Sequence, residues 1–138
     1  MPESAIPHSD STPLVAIVNS SEDIATMTAR VIEDEGLRTA NAYVSDLKRG
    51  EPDPSAFLVE NDPRVIVYDV GLPYEESWAF LQSLEQSDAA RGRRFIITTT
   101  NRAVLEDMVG VLPEQEVLAS PFDLDDLVAV VRRALATQ

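Results

Sequence analysis

The chain contains no cysteine, a single histidine and a single lysine, and no apolar run long enough to span a bilayer. Each shortage excludes a class of chemistry. Without cysteine there is no disulfide framework, zinc ribbon, iron–sulfur ligation or thiol nucleophile. His8 stands in a Pro/Ser-rich N-terminal stretch, so neither a Ser-His-Asp triad nor a two-histidine metal site is expected. A membrane helix needs about 18 consecutive apolar residues or more, and none is present. Basic residues number 11 against 24 acidic, a net charge of −13. Nucleic acids and anionic membranes are bound by cations that neutralise phosphate, so neither is an expected partner. The first residues have no cationic side chain and no apolar run, which excludes a secretory signal. The expectation is a disordered leader over 1–12 and one cytoplasmic domain over 13–138. A chain of this size can bury roughly 68% of its unfolded surface, enough for a core without staples.

What is present is an alternation of short β-branched runs with helical patterns. Leu14 to Val18 is a buried-strand run. Ser20 and Ser21 ahead of Glu22 and Asp23 mark a helix start. Ile24, Met27, Val31 and Ile32 then recur at helical spacing, and Gly36 ends that helix. A weaker strand spans 37–43, and 44–54 has room for one helical turn. Asp53-Pro54 is a cap followed by a first-turn proline, opening a helix through Phe57, Leu58 and Glu60. Val65 to Asp69 is the second clear strand. Gly71 and Pro73 mark a loop that includes Tyr74, Glu75 and Glu76, before a helix around Trp78, Phe80, Leu81 and Leu84.

Arg91, Arg93 and Arg94 read as a solvated basic turn, too small to bind DNA. Arg94 to Thr99 is the third clear strand, 102–109 a short helix and 116–119 a short fifth strand. Asp123 caps the last helix, with Asp126 at its third position. That helix has an apolar stripe of Leu124, Leu127, Val128, Val131 and Leu135. Val130 falls outside the stripe and is a candidate exposed contact.

Strand and helix repeated five times imply an α/β fold, a parallel sheet with helices on both faces. The three most apolar strands belong at the centre and 37–43 and 116–119 at the edges. With right-handed crossovers, the flavodoxin-like order 2-1-3-4-5 meets both conditions. Its topological switch point lies between strands one and three, where ligands bind beyond the carboxyl ends. The residues there are Asn19, Ser20 and Asp69, with Thr99 on the next strand. An Asp in such a place can also do no more than accept loop N–H bonds.

Val67-Tyr68-Asp69-Val70-Gly71-Leu72-Pro73, followed by Trp78 and Phe80-Leu81, resembles the phosphoacceptor segment of response-regulator receiver domains. Thr99 ends the next strand, where such domains carry a switch Thr or Ser. Ser120-Pro121-Phe122-Asp123-Leu124 resembles the Lys-Pro-Phe motif before the family's last helix. The resemblance runs over residues 13–136 and implies two-component signal transduction. It makes Asp69 the phosphoacceptor, attacking a phosphoryl group from a histidine kinase or a small phosphodonor. It makes the Gly71 carbonyl a ligand of Mg²⁺ alongside Asp69, and the Thr99 hydroxyl a partner of the phosphoryl oxygens. Pro121 would sit in a loop that the family often builds around a cis peptide.

Departures from the family's pattern are concentrated in the same pocket. Asn19 and Ser20 occupy the positions of an acidic pair that helps to hold Mg²⁺, a hard cation that prefers carboxylates. Ser20 is at most a weak metal ligand. Glu22 and Asp23 instead complement the helix dipole. Ser120 replaces the family's lysine, and Lys48, in the second loop, is too distant to substitute for it. Val117 replaces the aromatic switch residue, and Thr100 a small residue whose loss crowds the pocket. Phosphoryl transfer depends on positioning and charge neutralisation, and metal ions and fixed cations supply much of both. The expectation is therefore a pseudo-receiver, not an enzyme, with impaired Mg²⁺-dependent phosphorylation, acting through protein–protein contacts. The alternative is a working receiver phosphorylated on Asp69 by a histidine kinase.

Other uses of the crevice fit poorly. Two acids directly after Ser21 would repel an FMN phosphate at the helix N-terminus. Gly71 stands where a haloacid-type phosphatase needs its second acid, and no Walker-type loop exists. Signalling partners, including a second copy of the chain, would meet the face spanning 102–135.

Overall fold

Five parallel strands form one sheet in the order β2-β1-β3-β4-β5. They are β1 (Leu14–Asn19), β2 (Arg38–Tyr43), β3 (Val65–Val70), β4 (Arg94–Thr99) and β5 (Glu116–Ala119). Among the described residues six α-helices connect and follow them, with a short 3-10 turn at Asp88–Ala90: α1 (Glu22–Glu33), α2 (Val44–Lys48), α3 (Pro54–Asn61), α4 (Tyr74–Glu85), α5 (Arg102–Val109) and α6 (Leu124–Ala136). This computed structural model describes residues 12–110, 116–119 and 123–136. Residues 1–11 of the expected leader and the Ser120-Pro121-Phe122 motif, including the expected cis-peptide loop, lie outside them. No helix among the described residues is long and apolar enough to cross a membrane.

The strand order is the one the alternating pattern predicts, with the weak strands β2 and β5 at the edges. Alternate side chains of β1, β3 and β4 meet helices on opposite faces, so these strands are apolar almost throughout. Val15, Ile17, Val65, Val67 and Ile96 pack with Ala25, Ala29 and Ile32 of α1 and Leu127, Val130, Val131 and Ala134 of α6. On the other face Ile66, Tyr68, Phe95 and Ile97 pack with Leu47, Phe57, Leu58, Trp78, Leu81 and Leu105 from α2 to α5. Asp53 caps α3 by accepting the Ala56 N–H at 3.0 Å, with Pro54 in the first turn, as the Asp-Pro pair predicts.

Four details differ from expectation. The sheet-facing side of α1 is Ala25, Thr28, Ala29 and Ile32, while Ile24 and Met27 are 46% and 47% exposed. Only Ser20 and Ser21 separate β1 from α1. So short a link draws the helix close to the sheet, where small side chains fit and Ile24 and Met27 do not. Asp34 caps the end of α1, and Gly36, at φ 86°, turns the chain two residues later. Val130 is buried against the sheet, because α6 presents a wider face than its stripe indicates. Tyr74, Glu75 and Glu76 form the first turn of α4, where the two acids face the positive end of the helix.

The arginine cluster is also more structural than a solvated turn. Arg93 donates to Asp62 at 2.7 Å and to the carbonyls of Ala89 and Pro63, at 2.7 and 2.9 Å. It ties the end of α3 to the turn before β4. Arg91 is highly exposed and pairs with Asp88.

Candidate functional site

Asp69 is the penultimate residue of β3, and its side chain points to the α1/α6 face together with Val65 and Val67. The pairing of β3 with β4 sets Asp69 beside Thr98 and Val70 beside Thr99. In a parallel pair, residues in register point to the same face. The Thr98 hydroxyl accordingly donates to Asp69 Oδ1 at 2.6 Å. Thr99 points the opposite way, is 1% exposed, and its hydroxyl accepts the Asn101 N–H at 3.3 Å. The hydroxyl beside the carboxylate therefore belongs to Thr98, one residue before the expected Thr99. Both are threonines at a strand end, so nothing in the linear pattern separates them.

The other side of the carboxylate meets the β1–α1 loop. A Cβ placed on Gly71 would stand 3.6 Å from Ser20 Oγ and 3.7 Å from Asp69 Oδ2. Ser20, Asp69 and Gly71 thus stand together at this end of the sheet. Asn19 is buried at the end of β1, but its amide oxygen is committed locally. It accepts the N–H groups of Ser20 at 2.7 Å and Ser21 at 2.9 Å. It shapes the loop and does not present that oxygen to the crevice.

These donors do not fit a resident Mg²⁺. The ion wants near-octahedral hard oxygens, with carboxylates among them. Among the described residues no three acidic or histidine side chains cluster as a metal site. Glu22 and Asp23 lie on the exposed first turn of α1. Asp69 would be the lone carboxylate.

Burial raises the Asp69 pKa above its ordinary value, and the Thr98 hydrogen bond opposes the shift. Lys48, on α2, lies 3.2 Å from Glu76 of α4. Beneath the crevice Tyr68 is fully buried, and its hydroxyl donates to the Ser77 carbonyl at 2.9 Å. Burial pushes the Tyr68 pKa up to about 12; the hydrogen bond to Ser77 opposes this and the Asp69 charge adds to it.

Thr100, expected to crowd the pocket, turns out of it. It is exposed, and its hydroxyl lies 2.9 Å from the Tyr74 hydroxyl at the start of α4. Nothing in the sequence pointed to that pair, because it joins the first residue of α4 to the loop after β4, two segments far apart in the chain. Val117 is half-buried on β5 beside Ile97. Ser120, at the position of the family's lysine, lies outside the described residues.

No protein-family model matches the chain, and no curated protein matches it. Solved structures do. A CheY-like response-regulator receiver protein from Methanospirillum hungatei is 19% identical at a TM-score of 0.69, covering 92% of this chain and 96% of that one. The Vibrio cholerae chemotaxis protein CheY4 is 19% identical at 0.65, covering 90% and 99%. A structure described as a transiently phosphorylated switch in bacterial signal transduction is 24% identical at 0.67, covering 91% and 95%. The five-stranded sheet, its 2-1-3-4-5 order and its surrounding helices are thus the fold of CheY-like response-regulator receiver domains.

Proposed function

We propose that this chain is a receiver-type signalling module of the pseudo-receiver kind, whose Mg²⁺-dependent phosphorylation on Asp69 is impaired and whose effect passes through protein partners. One observation carries the reading. Asp69 is a lone, half-buried carboxylate held by the Thr98 hydroxyl, with Asn19 and Ser20 where a second and third acid would complete a metal pocket. Phosphoryl transfer to a carboxylate brings two negative groups together and needs positive charge to do so. The pocket provides a hydroxyl and polar loop groups instead. Ser120 removes a further cation at the sequence level. The module acts in the cytoplasm, and the face from α5 through β5 to α6 is the one offered to signalling proteins or to a second copy.

The test is incubation with Mg²⁺ and a small acyl phosphate, followed by intact mass measurement. The expected outcome is no stoichiometric, acid-labile adduct. A full adduct that is lost on Asp69→Asn would overturn the reading and restore ordinary phosphoacceptor chemistry.

A further inference from the structure

Helices α4 and α5 leave a surface groove between them, lined by Glu75, Trp78 and Gln82 of α4 and Met108 of α5. Its volume is about 310 Å³, at the lower end of the range for ligand sites, so it takes one or two side chains rather than a cofactor. The three α4 residues share one stripe by helical spacing. Val104 stands one turn before Met108 and is 40% exposed, which extends the apolar strip along α5. Asp107, three residues after Val104, is exposed and borders that strip.

The acids of these two helices divide by side. Glu76 pairs with Lys48 of α2 at 3.2 Å, so it is turned away from α5. Glu106 pairs with Arg102 at 3.0 Å, and Arg102 also donates to the Val117 carbonyl of β5 at 3.4 Å. That pair therefore lies on the side of α5 turned away from α4. Glu75 and Asp107 are on the groove side, and among the described residues neither carboxylate has a cation or a hydrogen-bond donor. Asp107 also lies in the last turn of α5, where the negative end of the helix dipole opposes a carboxylate and no basic residue offsets it. Together α4 and α5 carry five acids and one arginine, whereas α6 carries two of each sign. The groove thus combines an apolar floor with negative charge that the described residues leave uncompensated.

We infer that the α4–α5 groove is a docking site for a basic segment of a partner protein. One arginine or lysine of that segment lies along Trp78 and Met108 and sets its charged head among Glu75, Gln82 and Asp107. The aliphatic stem of such a side chain covers apolar surface while its head stays at the carboxylates. The flexible Met108 adapts to the shape of the stem. Charge complementarity selects a basic partner over an acidic or phosphate-bearing one. The inference goes beyond the pseudo-receiver reading and does not depend on it. It uses neither Asp69 nor the face from α5 through β5 to α6, because the groove is on the other side of α5.

The test is an NMR titration of the full chain with a capped peptide of alternating arginine and leucine. A matched peptide carries glutamine in place of each arginine. The indole N–H of Trp78, the only tryptophan in the chain, and the Met108 methyl group report on the groove. The arginine peptide should move both signals to saturation, and the glutamine peptide should move neither. Glu75→Gln combined with Asp107→Asn should weaken binding by about tenfold, the scale of one lost charge-assisted contact. Asp34→Asn combined with Glu60→Gln makes the same change in net charge at exposed positions on other helices' ends. That pair should weaken binding by less than about twofold, since distant surface charges are screened. An equal loss in both pairs would reveal a general attraction to an acidic protein and overturn the proposal. So would an unmoved indole at saturation, or no binding of the arginine peptide. Shifts of the same signals with protein concentration alone would give the groove to a second copy and overturn it as well.

Discussion

The two faces of the sheet are built from different materials. Toward α2–α5 the buried side chains include Phe57, Tyr68, Trp78 and Phe95. Toward α1 and α6 the buried set among the described residues has no aromatic ring, with only the half-buried Tyr43 packed against it, and depends on Ala25, Ala29, Ala134 and aliphatic strand residues. Large rings fill a deep layer and bury much apolar area per residue. Small side chains let a helix lie close, and here they accompany a strand-to-helix link of only Ser20 and Ser21. Asn19, Asp69 and Thr98 all emerge on the thin face, where the loop after β1 folds back over them. The thick face carries the core, and the thin face carries the polar site.

Three measurements would break or sharpen that contrast. The largest effect is expected on the thick face. Trp78→Ala should cost about 3–5 kcal/mol in chemical denaturation, the usual range for emptying an aromatic core position. A loss well under 1 kcal/mol would show that the ring is not part of the core. On the thin face the damage should come from adding volume. Ala25 is fully buried against the sheet, and Ala25→Leu should destabilise by about 1–3 kcal/mol. A neutral Ala25→Leu would mean that α1 has room to move away.

The third effect has the opposite sign and depends on pH. The folded-state pKa of Asp69 is raised above 3.8 by burial, so the native state holds this proton more tightly than the unfolded chain does. Stability then falls as pH rises from about 3.8 through the folded pKa. Asp69→Asn removes that penalty. The variant should be more stable than the wild type at neutral pH, with the gain disappearing below both pKa values. Equal stability across the whole range would show that the pocket solvates the carboxylate as well as water does.

Much of the architecture was legible before the fold. The runs Leu14–Val18, Val65–Asp69 and Arg94–Thr99 announce strands because both of their faces must be apolar, and the two less apolar segments fall at the edges for the same reason. Asp69 stands out because an acid at the end of such a run has to emerge at the crevice. Asn19 and Ser20 follow from the strand order, since they flank the switch point, whereas Gly71 came from the family resemblance alone. The sheet-facing side of α1 was not legible. Ile24 and Met27 are more hydrophobic than Ala25 and Ala29, and hydrophobicity alone puts the wrong pair against the sheet.

Local chemistry thus settled which segments are strands, that Asp53 caps α3, and which acid faces the crevice, because each depends on side chains near in sequence. Pairing between distant strands settled the rest. The β3–β4 register gives Asp69 the hydroxyl of Thr98 and turns Thr99 inward, and a shift of one residue would exchange them. The Tyr74–Thr100 contact and the burial of Val130 have the same origin. Each depends on where a helix comes to rest on the sheet, which is a property of the packed whole that no window of residues contains.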